Sequence, residues 1–269
     1  VSFKVRRNYV LVVLLFISIV YLGILQIFPT MSDPDGFFHA KMALLTRGEW
    51  FVTTFPYLPE TLLAQHWTDQ HWLYHVLLIP FVSIFDPLWG VKIAAVFFGV
   101  TYIIVFFLIL NAIIKNSRIS FWWSLALLTV APFVFRLILV KAQPLAFILL
   151  LLGFFAYLKK KPIHVTVLQF IYVLSHGSFL LLPMLITWHM LFSFLFERSK
   201  FINNFSMNIK IVSATIVGVT AGLLVQPTFP ENLLFYWHQI VTIGIIGVPD
   251  FVTTGLEWRS IGIFGLFKS

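Results

Sequence analysis

Asp33 and Asp35 stand two residues apart around Pro34, and Gly36 follows. Two carboxylates at that spacing can share one hard divalent cation, Mg²⁺ or Mn²⁺, because such ions prefer oxygen ligands. A cation held there neutralises a departing phosphate. His39 falls four residues after Asp35, one helical turn on, where it could orient the carboxylate or join it as a metal ligand. The plain alternative is that Asp-Pro-Asp-Gly is a turn and capping sequence. It would place Asp35 near the N-cap of an amphipathic helix through Lys41–Leu45.

A second group of chemical residues lies at 66–75. His66, His71 and His75 share this stretch with Asp69, Gln70, Trp67 and Trp72. On a helix, His71 and His75 share a face at i, i+4, a spacing compatible with zinc, although no Glu follows the first His as in metalloproteases. A different reading is an interfacial belt, since Trp, Tyr and His favour the headgroup zone. The third is polar contact with a sugar or phosphate, with Trp72 and Trp67 offering flat faces and Asp69 and Gln70 binding hydroxyls. Further along, Arg136 and Lys141 could bind a phosphate or snorkel to lipid headgroups. His176, before Gly177, could reach the same place or mark a helix break. His189, inside an apolar run, reads as a satisfied buried histidine.

The elements that must hold these residues are set by composition. Of 269 residues, 60% are hydrophobic and 10% charged, against about 25% charged in ordinary soluble domains. So few charges cannot keep a soluble surface of this size wet, and the chain is no disordered polymer either. An all-α, polytopic transmembrane helical protein is expected, a multi-pass integral protein of the plasma membrane. The net charge of +8 comes from small basic clusters between apolar runs, an orientation signal and not a nucleic-acid footprint. There is no cysteine, hence no disulfide and no thiol nucleophile.

A span needs about 20 apolar residues. Residues 8–28 meet this, with Lys4, Arg6 and Arg7 ahead of them on the cytoplasmic side. Residues 29–72 form a long extracytoplasmic loop with short helices, holding five of the ten acids: Asp33, Asp35, Glu49, Glu60 and Asp69. Further hydrophobic segments fill 73–248, at about Leu73–Phe85, Val91–Ile114, Phe121–Phe135, Leu145–Leu158, Val165–Leu174, Ser178–Phe196, Ile209–Val225 and, more weakly, Leu233–Val248. Lys115/Arg118, Lys159–Lys161 and Arg198/Lys200 are expected in the cytoplasm, which puts Arg136, Lys141 and His176 outside. One conflict stays open: either Leu73–Phe85 does not cross, or the Lys115 loop breaks the positive-inside rule. Residues 249–269, with Asp250 and Glu257, read as an incomplete tail, and the opening at Val1 suggests a fragment. The whole is read as a single transmembrane domain.

Asp35-Gly36-Phe37-Phe38-His39-Ala40-Lys41 resembles the Asp-x-aromatic-aromatic-His-x-basic motif of archaeal oligosaccharyltransferase catalytic subunits, which belong to the GT-C superfamily of membrane glycosyltransferases. In that family the motif follows the first span and opens a long outer loop, and its Asp binds the catalytic divalent metal. The resemblance therefore gives that role to Asp35. Trp72-Leu73-Tyr74-His75, with Pro80 and Phe81, resembles the end of that loop. Val173 to Phe179 is similar to an Asn-x-His-Gly segment of bacterial GT-C proteins, from which Leu174-Ser175 departs. Gln226-Pro227, Glu231-Asn232-Leu233 and Tyr236-Trp237 look like a late loop in that group. Two departures matter: the loop at Arg136–Gln143 carries no acid, and no Trp-Trp-Asp-Tyr-Gly motif is present. They point away from transfer to a protein asparagine.

The resemblance implies sugar transfer from a polyprenyl-phosphate-linked donor to an acceptor glycan, lipid or protein on the extracytoplasmic face. Asp35, Asp33 and Asp69 are then the catalytic candidates, and Asp35 and His39 the metal ligands. His71, His75, Trp72, Arg136, Lys141 and His176 would bind substrate. The absence of a Walker sequence or Gly-rich dinucleotide fingerprint agrees with a lipid-phosphate donor. The rival readings are a transporter or lipid flippase, which needs ionisable groups deep in the spans, and a non-catalytic relative.

Overall fold

The computed structural model describes residues 3–55, 57 and 66–246. Glu60, Asp250, Glu257 and the side chains of Lys4, Arg6 and Arg7 lie outside the described residues. Twelve α-helices and a closing π-helical stretch are found, with no strand among the described residues. They are α1 (Phe3–Leu25), α2 (Asp35–Glu49), α3 (Trp72–Ile84), α4 (Pro87–Ile114), α5 (Ser117–Leu127), α6 (Ala131–Ile138), α7 (Gln143–Leu158), α8 (Pro162–Ser175), α9 (Leu181–Phe196), α10 (Arg198–Asn203), α11 (Phe205–Val225) and α12 (Glu231–Trp237), then the π-helical His238–Ile246. Among the described residues three helices are long and apolar enough to cross a membrane: Asn8–Leu25 of α1, all of α4, and α11. α4, with 28 residues, is about 42 Å long at 1.5 Å per residue, ample for a core of about 30 Å. α3, α7, α8 and α9 are apolar but have 13 to 16 residues each, so each falls short of a full straight crossing.

The apolar run at Phe121–Phe135 is not one helix. α5 and α6 meet at a bend of 80° and count as a fourth span only if taken together. The reason is local. Pro132, in the first turn of α6, has no N–H to carry an α5 ladder onward. Val130 is extended, and a turn closes over Leu128 to Val130. Other ends follow ordinary capping. The Asp86 carboxylate accepts from Leu88 N (3.0 Å), with Pro87 opening α4, and Asn116 accepts from Arg118 N (3.1 Å) to start α5.

The described chain divides into two compact units. The first holds α1 to α11, and the second holds the described residues among 53–68, α12 and the π-helical stretch. In the first unit, small residues let helices approach closely. Gly218 and Gly222 sit one turn apart on α11, and a Cβ there would lie 2.7 Å from the Thr166 carbonyl and 2.6 Å from Val173 Cβ on α8. Such glycine pairs bring helix backbones together where apolar solvent supplies no hydrophobic drive. α4 runs between α1 and α6 at Gly99, whose Cβ would meet Leu22 and the Leu137 carbonyl. In the second unit, Trp67 stacks on Phe55 at 4.5 Å and 17°, and His66 pairs with Glu231 at 2.7 Å. The Trp67 face read as a sugar platform is thus covered by Phe55.

The link from α1 to α2 is pinned at both sides. Gln26 Nε2 donates to the Ile138 carbonyl, and Lys92 Nζ donates to the Phe28 carbonyl. Gly36 then packs α2 against the segment after α6: a Cβ there would meet Met31 Sδ at 3.0 Å and Val140 Cβ at 3.4 Å. This close approach carries the first turn of α2 to Lys141.

Candidate functional site

Chemistry-bearing side chains from four stretches of the first unit, at 33–39, 69–75, 141 and 172–178, form two adjoining groups. In the first group, Asp33 Oδ1 accepts the Asp35 backbone N–H at 2.8 Å, which fixes the two carboxylates relative to each other. Both then turn an Oδ2 to Lys141 Nζ, at 3.2 Å from Asp33 and 2.7 Å from Asp35. Lys141 is held in turn by the short loop between α6 and α7, where its N–H donates to the Leu139 carbonyl at 2.8 Å. Burial lowers the affinity of Lys141 for its proton, but hydrogen bonds and charge from Asp35 and Asp33 outweigh it, so its pKa lies above the ordinary lysine value. The ammonium is therefore a permanent charge at neutral pH.

The second group is built of imidazoles, buried at His39 and His75 and half-buried at His71 and His176. Asp69 Oδ2 accepts from His75 Nδ1 at 2.7 Å, and His75 Nε2 meets His39 Nδ1 at 2.8 Å. Asp69, His75 and His39 are 6%, 0% and 3% exposed, so the chain Asp69–His75–His39 runs through the interior. Asp69 also accepts the His71 N–H at 3.0 Å, and its own carbonyl accepts from Gln226 Nε2 at 2.9 Å. His71 Nδ1 donates to the Ser175 carbonyl at 3.3 Å and its ring lies 5.0 Å from that of His176. His176 Nδ1 accepts from the Ser178 N–H (3.0 Å) and hydroxyl (2.8 Å), and Tyr172 backs Ser178 at 3.0 Å.

These bonds assign protons. His176 accepts at Nδ1, so its Nε2 carries the hydrogen; His71 donates at Nδ1, so its Nε2 is the open lone pair. A carboxylate only accepts, so His75 donates from Nδ1. The tautomer of His75 that holds its one proton on Nδ1 accepts at Nε2 from His39 Nδ1–H, which leaves His39 Nε2 as a base. Burial first, then neighbouring His75 and His71, hold His39 well below the ordinary histidine value. Burial likewise brings His71 to about 4, with His75 adding and Asp69 opposing, and His176 to about 3, with His71 adding. These three rings are neutral at pH 7. The groups sense one another: Lys141 acts on His39, and Asp35 on His71.

The structure thus brings together Asp33, Asp35 and Lys141, and separately Asp69, His75, His39, His71 and His176. It does not bring His39 to Asp35, whose partner is Lys141. Nor do His71 and His75 converge as a zinc pair: their rings are 6.2 Å apart at 88°, and both nitrogens of His75 are engaged. Among the described residues no three His, Asp or Glu groups are placed to hold a metal ion. As arranged, the donors expected for Mg²⁺ or Mn²⁺ do not fit one, because an ammonium sits between the carboxylates. Trp72 lies beside the cluster, donating from Nε1 to the Trp50 carbonyl at 3.0 Å and leaning on Phe51. Arg136 is exposed in the last turn of α6, with no ion pair among the described residues. His189 is bonded to Tyr157 at 2.8 Å but is exposed, not buried. Tyr172, Ser178 and the Gln226 amide were not foreseen as parts of the site; neighbouring motifs flagged their stretches, but no spacing rule gives their partners. Against protein-family models, curated proteins and solved structures, the chain has no match.

Proposed function

We propose that this chain is a multi-pass plasma-membrane glycosyltransferase of the GT-C kind. It would move a sugar from a polyprenyl-phosphate donor to an acceptor on the extracytoplasmic side. The observation that carries the reading is the gathering of Asp33, Asp35, Lys141 and the histidines at the segment just after the first apolar helix. Chemistry there suits a substrate whose tail stays in lipid. Lys92, the charged residue buried in α4, lies near the start of that helix and is bound to the Phe28 carbonyl, an anchoring position and not a midplane site. That favours surface chemistry over transport.

In the reaction, the acceptor hydroxyl attacks the anomeric carbon, the bond from that carbon to the phosphate oxygen breaks, and the lipid phosphate leaves with the electron pair. The Asp35 carboxylate, half exposed beside Lys141, takes the hydroxyl proton. Lys141 holds Asp35 and Asp33 in place. Imidazole N–H groups, such as His176 Nε2–H, and the exposed Arg136 offer hydrogen bonds to the developing phosphate charge. These groups do not select the acceptor, since any hydroxyl satisfies them. The test is release of polyprenyl phosphate from a radiolabelled polyprenyl-phosphate hexose by the purified chain in detergent. The reading expects acceptor-dependent release that Asp35→Asn reduces by about 10²-fold or more, the usual size of a lost general base. Equal release by wild type and Asp35→Asn would remove Asp35 from the chemistry.

A further inference from the structure

We propose that the Lys141 ammonium is the resident cation of the Asp33–Asp35 pair, standing where the resemblance places a divalent metal. The carboxylates are not left pointing at an open position. Each turns one oxygen to the same nitrogen, at 3.2 and 2.7 Å. The arrangement is fixed from both sides. The Asp33 side chain is tied to the Asp35 N–H. Lys141 is set by its backbone bond to Leu139, next to Val140, which packs against Gly36. The third ligand that a metal would draw from α2, His39, is turned to His75.

Charge supports the same assignment. Two carboxylates and one ammonium sum to −1. A divalent ion added between the carboxylates would face the Lys141 charge across a few ångströms, and would have to expel it from both bonds. Mg²⁺ and Mn²⁺ also require several more oxygen ligands around them. The ammonium supplies three N–H donors, of which the carboxylates take two; the third remains for a substrate hydroxyl or a phosphate oxygen. A lysine in this role cannot act as a Lewis acid. It does hold Asp35 in position, and it does so without depending on metal supply.

This inference concerns the same site as the proposed reaction, but its measurement involves no sugar transfer, so the two can fail separately. Mn²⁺ binding is followed by electron paramagnetic resonance on wild type, Asp33→Asn, Lys141→Met, Lys141→Arg and the double variant Lys141→Met/Asp33→Asn, each checked for cooperative melting. The expected result is little Mn²⁺ bound by wild type and Lys141→Arg. Lys141→Met should bind at least about tenfold more tightly, equivalent to ~1.4 kcal/mol, and the double variant should lose that gain. Tight binding by wild type that Asp33→Asn abolishes would overturn the proposal. So would a folded Lys141→Met with no gain, because the carboxylates would then not form a cation position that Lys141 fills. If Lys141→Met does not fold, the wild type decides: a melting temperature moved by neither Mn²⁺ nor EDTA supports the proposal, and a rise with Mn²⁺ that EDTA reverses refutes it.

Discussion

Asp69 is the residue whose replacement separates structure from proton placement. Its carboxylate accepts two donors in a buried setting, His75 Nδ1–H at 2.7 Å and the His71 N–H at 3.0 Å. Asp69→Ala leaves both donors without an acceptor. A buried donor stripped of its partner costs about 1–3 kcal/mol, so the pair should cost about 2–6 kcal/mol. Asp69→Asn is different. Its amide oxygen can still accept the His71 N–H, while its NH₂ now faces His75 Nδ1. A donor there drives His75 to accept at Nδ1 and donate from Nε2. His39 must then accept at Nδ1 and carry its proton on Nε2, the reverse of the wild-type arrangement. Stability should fall by about 1 kcal/mol, within the range for one altered hydrogen bond. The assay pairs thermal melting in detergent with side-chain ¹⁵N spectra of labelled histidine. The result expected is a large melting loss for Ala, a small one for Asn, and exchanged protonated and bare nitrogen signals at His39 and His75 in Asn. Melting of Asp69→Ala within about 0.5 kcal/mol of wild type, the range of an ordinary surface change, would refute the buried chain. Unchanged ¹⁵N signals in Asp69→Asn would refute its assigned polarity.

Three further outcomes rest on the same geometry. His71 is half-buried and lies at about 4 when folded, against 6.5 when unfolded, so the unfolded chain binds protons first and stability falls as pH drops from about 6.5 towards 4. The loss from this ring approaches about 3 kcal/mol at pH 4; melting should be flat above pH 7, and His71→Gln should flatten the acid limb. His176, at about 3, extends the same trend to lower pH. Gly222→Leu on α11 would press into Val173 on α8 and should cost about 1–3 kcal/mol by overpacking, read as a lower melting temperature; an unchanged one would mean that the two helices are not in close contact. Asp33→Asn should leave Asp35 beside Lys141 and reduce sugar transfer less than Asp35→Asn does, measured in the same release assay; a larger loss would exchange their roles.

The apolar stretches and the start of α2 were readable because they are local. Residues 91–114 were expected as one long segment and α4 covers them, beginning earlier because Asp86-Pro87 is a capping pair. The break between α5 and α6 was readable in Pro132 but was overridden by the apolar run around it. The early acids and histidines were visible as a concentration of chemistry. Their pairing was not. His39 and His75 are 36 residues apart, and Lys141 reaches Asp33 and Asp35 from the far end of α6. No periodicity records which lysine will meet which carboxylate once α4 has passed between α1 and α6. The expectation that Lys141 binds phosphate treated it as an isolated cation, and the Gly36–Val140 approach that ties it to aspartates exists only in three dimensions.

The most direct measurement is photo-crosslinking with a polyprenyl-phosphate sugar that carries a photoreactive group next to the phosphate, read out by peptide mass spectrometry. Labels are expected at the start of α2, in the 139–143 loop and at 174–178, all competed by unlabelled donor. Competable labels confined to the ends of α7 and α8 around Lys159–Lys161, or no competable label, would contradict a sugar-phosphate site at Asp35.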